Sequence, residues 1–173
     1  MGLQSAPHRI VLESPTLKPG EPVPRQHTAD GINQSPALTW RDLPPNTKQL
    51  VVTLEDRDTF EPNQVPFLQW VVHSIPAGAR GLPEGLPQVP VITAPPDLIG
   101  ATQVRTAFDV TGYRGPQPLA GEKPHRYRFI VYALDAEIDF IPDISANAVL
   151  EAIKGHVIGP GEIAATYERN PPR

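Results

Sequence analysis

The chain has 173 residues and a mass of 18.9 kDa, the size of one domain, and can bury roughly 70% of its unfolded surface without a metal or a disulfide. Its 23 prolines, against a usual share of about 5%, exclude a helical bundle, and the absence of cysteine excludes disulfides, thiolate-held zinc or iron–sulfur and a cysteine nucleophile. A net charge of −4 and a pI near 5.7 exclude the clustered positive surface that non-specific nucleic-acid binding needs.

Met1 to Ile10 lacks the basic-then-apolar order of a secretory signal, and no apolar run approaches the roughly 20 residues that span a bilayer. A cytoplasmic location and one domain over residues 1–173 are the expectations. His8 to Leu12 reads as a short strand, followed by a proline-rich stretch from Pro15 to Pro24. Gln49 to Glu55 alternates, with Leu50, Val52 and Leu54 on one face, as a half-buried strand does. Phe67 to Ile75 is apolar on both parities and reads as a central strand covered on both sides. Pro76 to Gly121 is long, turn-rich and irregular, the mark of a functional loop. His125 to Leu134 is another strand, with Arg126 and Arg128 facing away from His125, Tyr127, Phe129 and Val131. One helix is expected. Ser145 caps it, Val149, Leu150, Ile153 and Val157 form its apolar stripe, and Gly159 with Pro160 stops it. A last strand runs from Ile163 to Glu168. The sum is a mainly β domain with a C-terminal helix packed on it.

Asp56 continues the alternation of Leu50, Val52 and Leu54, so it points inward at the end of its strand, and Asp58 shares that parity if the chain stays extended. Two readings are open: a turn in which the aspartates bind local backbone, or the polar floor of a pocket at a sheet end. His125 opens a strand and follows the loop Gly112–Tyr113–Arg114–Gly115–Pro116–Gln117–Pro118, whose exposed amides would make an anion cradle. Against this stands the plainer reading, a lone histidine bonded to a backbone carbonyl. His73 alternates with Gln69, Val71 and Ile75 and reads as structural. His8, His27 and His156 lack partners at ligand spacing, so no zinc site is expected. There is no Gly-x-Ser-x-Gly, phosphate-binding loop or Gly-x-Gly-x-x-Gly, and Ser35 precedes Pro36 in a loop. No catalytic residue and no cofactor is indicated.

Two sets of segments together resemble the phosphatidylethanolamine-binding protein family, in particular its bacterial, Raf kinase inhibitor-like branch. The first set is Asp30–Gly31–Ile32–Asn33–Gln34–Ser35–Pro36–Ala37–Leu38–Thr39–Trp40, then Asp56–Arg57–Asp58, then Gln69–Trp70–Val71–Val72. The second is Gly112 to Pro116, His125–Arg126–Tyr127–Arg128–Phe129 and Ala133–Leu134–Asp135, with Gly155–His156–Val157 and Thr166–Tyr167–Glu168–Arg169 closing the series. The resemblance implies a sandwich of a large central antiparallel sheet and a smaller one, with an anion pocket at one end. It carries Asp56, Asp58, His125 and Tyr127 over as pocket residues, with Pro116 and Gln117 on the pocket loop.

The sequence departs from the family pattern in three places. Asp56–Arg57–Asp58–Thr59–Phe60 stands where the family has Asp-Pro-Asp-Ala-Pro, so two loop prolines are missing, Gln69 replaces a pocket histidine, and Gln117 sits where a smaller residue or proline is common. Gln69 is expected to face the ligand in that histidine's place, and a glutamine at position 117 can donate one hydrogen bond to a phosphate oxygen without adding charge. The expected function is a non-catalytic binding protein for a small anionic or phosphate-bearing group such as a phospholipid head. The alternative is a regulator that contacts a kinase or peptidase, and the resemblance also implies a possible homodimer.

Overall fold

The computed structural model describes residues 9–60 and 66–169, so His8 lies outside the described residues. The strands are β1 (Val11–Glu13), β2 (Leu38–Arg41), β3 (Gln49–Phe60), β4 (Pro66–Pro76), β5 (Gly81–Leu82), β6 (Thr102–Gln103), β7 (His125–Leu134) and β8 (Val157–Tyr167), and the helix α1 is Ala146–Ile153. They form two antiparallel sheets, β1-β2-β5 and β6-β4-β3-β7-β8. The expected mainly β architecture, with a large sheet, a small sheet and a C-terminal helix, is the one observed.

The main core lies between the sheets, where Leu38 and Trp40 of the small sheet meet Leu50, Val52, Leu54, Trp70, Val72, Phe129 and Val131 of the large one. A second cluster covers the opposite face of the large sheet, where Val149 and Ile153 of α1 pack on Val51, Leu68, Val71 and Leu134. Complete burial of such side chains contributes about 1.5–3 kcal/mol each. This second layer corrects the reading of β3 as half-buried. Val51 and Thr53 are as completely enclosed as Leu50 and Val52, and α1 packs over Val51 on the face that alternation assigned to solvent.

The alternation assumed for β4 is also corrected. Leu54 pairs with Trp70 but Glu55 with Leu68, so Gln69 is an extra residue, and a second extra residue falls at His73–Ser74. A bulge changes which face the side chains beyond it meet. Val71 therefore packs beneath α1 while Ile75 joins the core between the sheets.

The helix is capped as expected, with the Ser145 hydroxyl accepting from the Ala148 amide at 3.2 Å. Its end differs. It stops at Ile153, and Gly155 takes φ +83° just beyond, the left-handed turn that glycine makes at low cost. Val157 opens β8, and Gly159 and Pro160 lie inside that strand. Proline is tolerated there because β8 is the edge of its sheet.

Candidate functional site

Three strand ends converge at one end of the large sheet. In register, Asp56 of β3 lies between Phe67 of β4 and Tyr127 of β7, and His125 opens β7. Beyond Asp56 the pairing lapses until Phe60 meets Pro66, so Asp58 and Thr59 bend out of the regular ladder. A cleft of about 710 Å³ sits over this end. Asp56, Asp58, Thr59, Gln69, Gln117, Glu122, Lys123 and His125 supply its polar lining, and Phe67, Phe108, Pro118, Leu119 and Pro124 its apolar wall.

Asp56 is 3% exposed, and its carboxylate is fully engaged. One oxygen accepts the Asp58 amide at 2.8 Å, while the other accepts the Thr59 hydroxyl at 3.1 Å and meets His125 Nδ1 at 2.8 Å. The turn reading and the pocket-floor reading are therefore satisfied by the same side chain. The opposite nitrogen of His125, Nε2, lies 2.9 Å from the Glu122 carboxylate. Burial alone pulls the His125 pKa down. The hydrogen bond and charge of Asp56, followed by those of Glu122, outweigh burial and hold the pKa above its ordinary value of 6.5. A carboxylate on each ring nitrogen favours the doubly protonated, cationic imidazole, which donates from both.

Asp58 is held from outside the cleft. The Arg126 amide donates to it at 2.6 Å and the guanidinium Nη2 at 2.8 Å, and the Arg126 hydrogen bond lowers its pKa. Arg126 thus stays off the cleft lining, as strand parity requires, yet grips one of the cleft's carboxylates.

The two glutamines are occupied elsewhere. Gln69 Nε2 donates to the carbonyls of Arg114 and Gly115, at 2.9 Å each. Its bulge aims it at this loop, and with both hydrogens used it has none for a phosphate oxygen. Gln117 accepts from Arg114 Nη2 at 2.7 Å and donates to Asp30 at 3.3 Å. Two of the loop amides are taken, since Gly115 N donates to Asn33 Oδ1 at 2.8 Å and Gly112 N to the Val104 carbonyl. Gly115 is also clamped against the chain: a Cβ there would lie 1.9 Å from the His27 carbonyl oxygen.

Asp56, Asp58, Gln69, Gln117 and His125 thus meet at the cleft, whereas Pro116 and Tyr127 are buried behind it and outside its lining. Burial and then the charge of Asp56 push the Tyr127 pKa up, and its hydroxyl has no hydrogen-bond partner among the described residues.

Sequence reasoning missed Glu122, Lys123 and the aromatic wall. Phe67 and Phe108 stack with centroids 4.9 Å apart, and the Arg114 guanidinium lies 4.4 Å over Phe108. The i, i+3 spacing of Glu122 and His125 was legible, but a turn of unknown shape at Gly121 (φ +86°) decides whether they meet. Asp30 and Asn33 were visible as motif residues without a role. Asp30 ties Tyr167 and Arg169 to Gln117, and Asn33 holds the Gly115 amide.

Among the described residues no cluster of three histidine, cysteine, aspartate or glutamate side chains has metal-site geometry, and no helix is long and apolar enough to cross a membrane. A larger cleft of about 1010 Å³ lies elsewhere, bordered by His73, Ser74 and Phe140.

Residues 13–168 match the family model described as phosphatidylethanolamine-binding protein. The UPF0098 protein YbhB of Escherichia coli K12 is 39% identical over 162 residues, covering 90% of this chain and 98% of YbhB. A UPF0098 protein of Methanothermobacter thermautotrophicus is 38% identical over 147 residues, covering 85% and 91%. The crystal structure of E. coli YbcL, described as a new member of the mammalian PEBP family, superposes with a TM-score of 0.79 at 30% identity, covering 92% of this chain and 98% of YbcL. That of a putative homolog from Chlamydia trachomatis gives 0.77 at 30%, covering 94% and 99%.

Proposed function

The chain belongs to the phosphatidylethanolamine-binding protein family, and from that premise we propose that it is a non-catalytic binding protein whose cleft takes a small phosphate-bearing group. The observation that carries this reading is the bond between His125 Nε2 and Glu122. A cationic imidazole, oriented from behind by buried Asp56, already receives an oxyanion at the cleft surface, 2.9 Å away. Orientation by a second carboxylate fixes the ring and favours its charge. Lys123 adds a cation at the mouth with no ion pair among the described residues, and the Phe67–Phe108 stack offers a surface for the organic part of a ligand.

A calorimetric titration with phenyl phosphate, on wild type and His125→Gln, tests the reading. Binding by wild type that is lost in the variant is expected, and binding that survives His125→Gln contradicts it. A second reading, contact with a protein partner across the cleft mouth, draws on Leu119, which is 70% exposed at the rim. Capture of a partner that phenyl phosphate displaces is its expected sign.

A further inference from the structure

Glu122 is 45% exposed and its carboxylate occupies the one nitrogen of His125 that faces the cleft, since Asp56 holds the other. No ligand can reach that nitrogen without moving Glu122. We propose that Glu122 is a built-in competitor at the phosphate site, and that it biases the cleft toward dianionic phosphomonoesters over carboxylates and phosphodiesters. The inference rests on the oxyanion reading of the cleft given above.

Charge decides between the ligand classes. With Glu122 in place, Asp56 and Glu122 share His125, Asp58 pairs with Arg126, and Lys123 and the Arg114 guanidinium over Phe108 stand as further cations. When Glu122 swings out, Asp56 remains bound to His125 and Asp58 to Arg126, and positive charge is left uncompensated at the cleft. Glu122 is tethered three residues from His125, so it competes at a high effective concentration that free anions must overcome. A carboxylate or a phosphodiester offers the same single charge that Glu122 offers and gains little by replacing it. A phosphomonoester carries close to two charges at pH 7 and can meet both His125 and Lys123. Glu122 meets only His125 among the described residues. The competitor thus sets a threshold that a singly charged oxyanion, matching Glu122 charge for charge, does not clear, and that a phosphomonoester clears through its second charge and its contact with Lys123.

The test compares phenyl phosphate, methyl phenyl phosphate and benzoate, which present the same ring to the aromatic wall, by calorimetry at pH 7. The proteins are wild type, Glu122→Gln and Glu122→Ala. Gln keeps the shape and can still accept from His125, while Ala removes the contact. The expected result is phenyl phosphate binding by wild type that tightens roughly three- to tenfold in Glu122→Ala, with a smaller gain in Glu122→Gln. Benzoate should register only once Glu122 is removed. Equal phenyl phosphate affinity in wild type and Glu122→Ala, with His125→Gln abolishing binding, overturns the competitor while leaving the oxyanion reading intact. Wild type binding benzoate as tightly as phenyl phosphate overturns the charge selection. Absence of phenyl phosphate binding in all three proteins overturns the oxyanion reading itself, and the competitor with it.

Discussion

His125 opens β7 and His73 lies far along β4, on the other side of β3 in the same sheet, and the same side chain behaves oppositely at the two places. His125 has a carboxylate on each ring nitrogen, which outweighs its burial and raises its pKa above 6.5. His73 is 7% exposed, bonds only the Ser74 hydroxyl among the described residues, lies 4.3 Å from the Phe140 ring, and burial pulls its pKa down to about 4. Residue type and strand placement do not decide charge. What decides it is whether buried acids reach the ring, and here only the sheet end with Asp56 supplies them.

The largest break in that contrast comes from removing Asp56. Asp56→Ala leaves the Asp58 amide and the Thr59 hydroxyl without their acceptor and His125 with only exposed Glu122. A loss of about 3 kcal/mol in urea unfolding is expected, with the His125 pKa falling toward the behaviour of His73. Unchanged stability would mean that Asp56 does not organise the site.

Acid titration comes next. The folded pKa of His73 is depressed, so its stabilising contribution is complete above pH 6.5 and is lost as pH falls toward 4. The shift corresponds to roughly 2–3 kcal/mol over that window. His73→Phe should flatten this part of the pH–stability curve, and an identical slope in the variant would place the acid sensitivity elsewhere. His125 runs the other way: its contribution is complete below pH 6.5 and fades as pH rises through its higher folded value.

A somewhat smaller effect is expected at Gln69. Gln69→Leu strands the carbonyls of Arg114 and Gly115, costing about 2 kcal/mol in urea unfolding. Stability equal to wild type would restore the glutamine as a free ligand donor. The smallest effect sharpens the geometry. Arg128 pairs with Glu162 and Glu55 off the cleft, so Arg128→Ala should leave phenyl phosphate affinity within about 0.5 kcal/mol. A loss of about tenfold in calorimetry would put the ligand on the other face.

The strands were legible wherever local pattern and global burial agreed. Phe67 to Ile75 and His125 to Leu134 are nearly the observed β4 and β7. Alternation misled at Gln69 and His73, because bulges leave no periodic trace and reverse the facing of the residues beyond them. Val157 fits a helical stripe by spacing, and only the left-handed turn at Gly155 assigns it to β8. At the cleft, Asp56 and His125 were legible as strand-end polar residues on inward faces. The engagement of Gln69 and Gln117 was not, since their partners are backbone carbonyls and Asp30, 45 or more residues distant for Gln69 and 87 for Gln117. Nor was the Glu122 contact, which depends on the shape of one turn.

The most direct measurement is a nitrogen-15 imidazole titration by NMR from pH 4 to 9, with and without phenyl phosphate. The account predicts that His125 loses its proton only above pH 6.5 and that its Nε2 signal moves on adding phenyl phosphate, while His73 stays neutral down to about pH 4 and does not respond. His125 titrating below 6.5, or phenyl phosphate shifting His73 in its place, would contradict it.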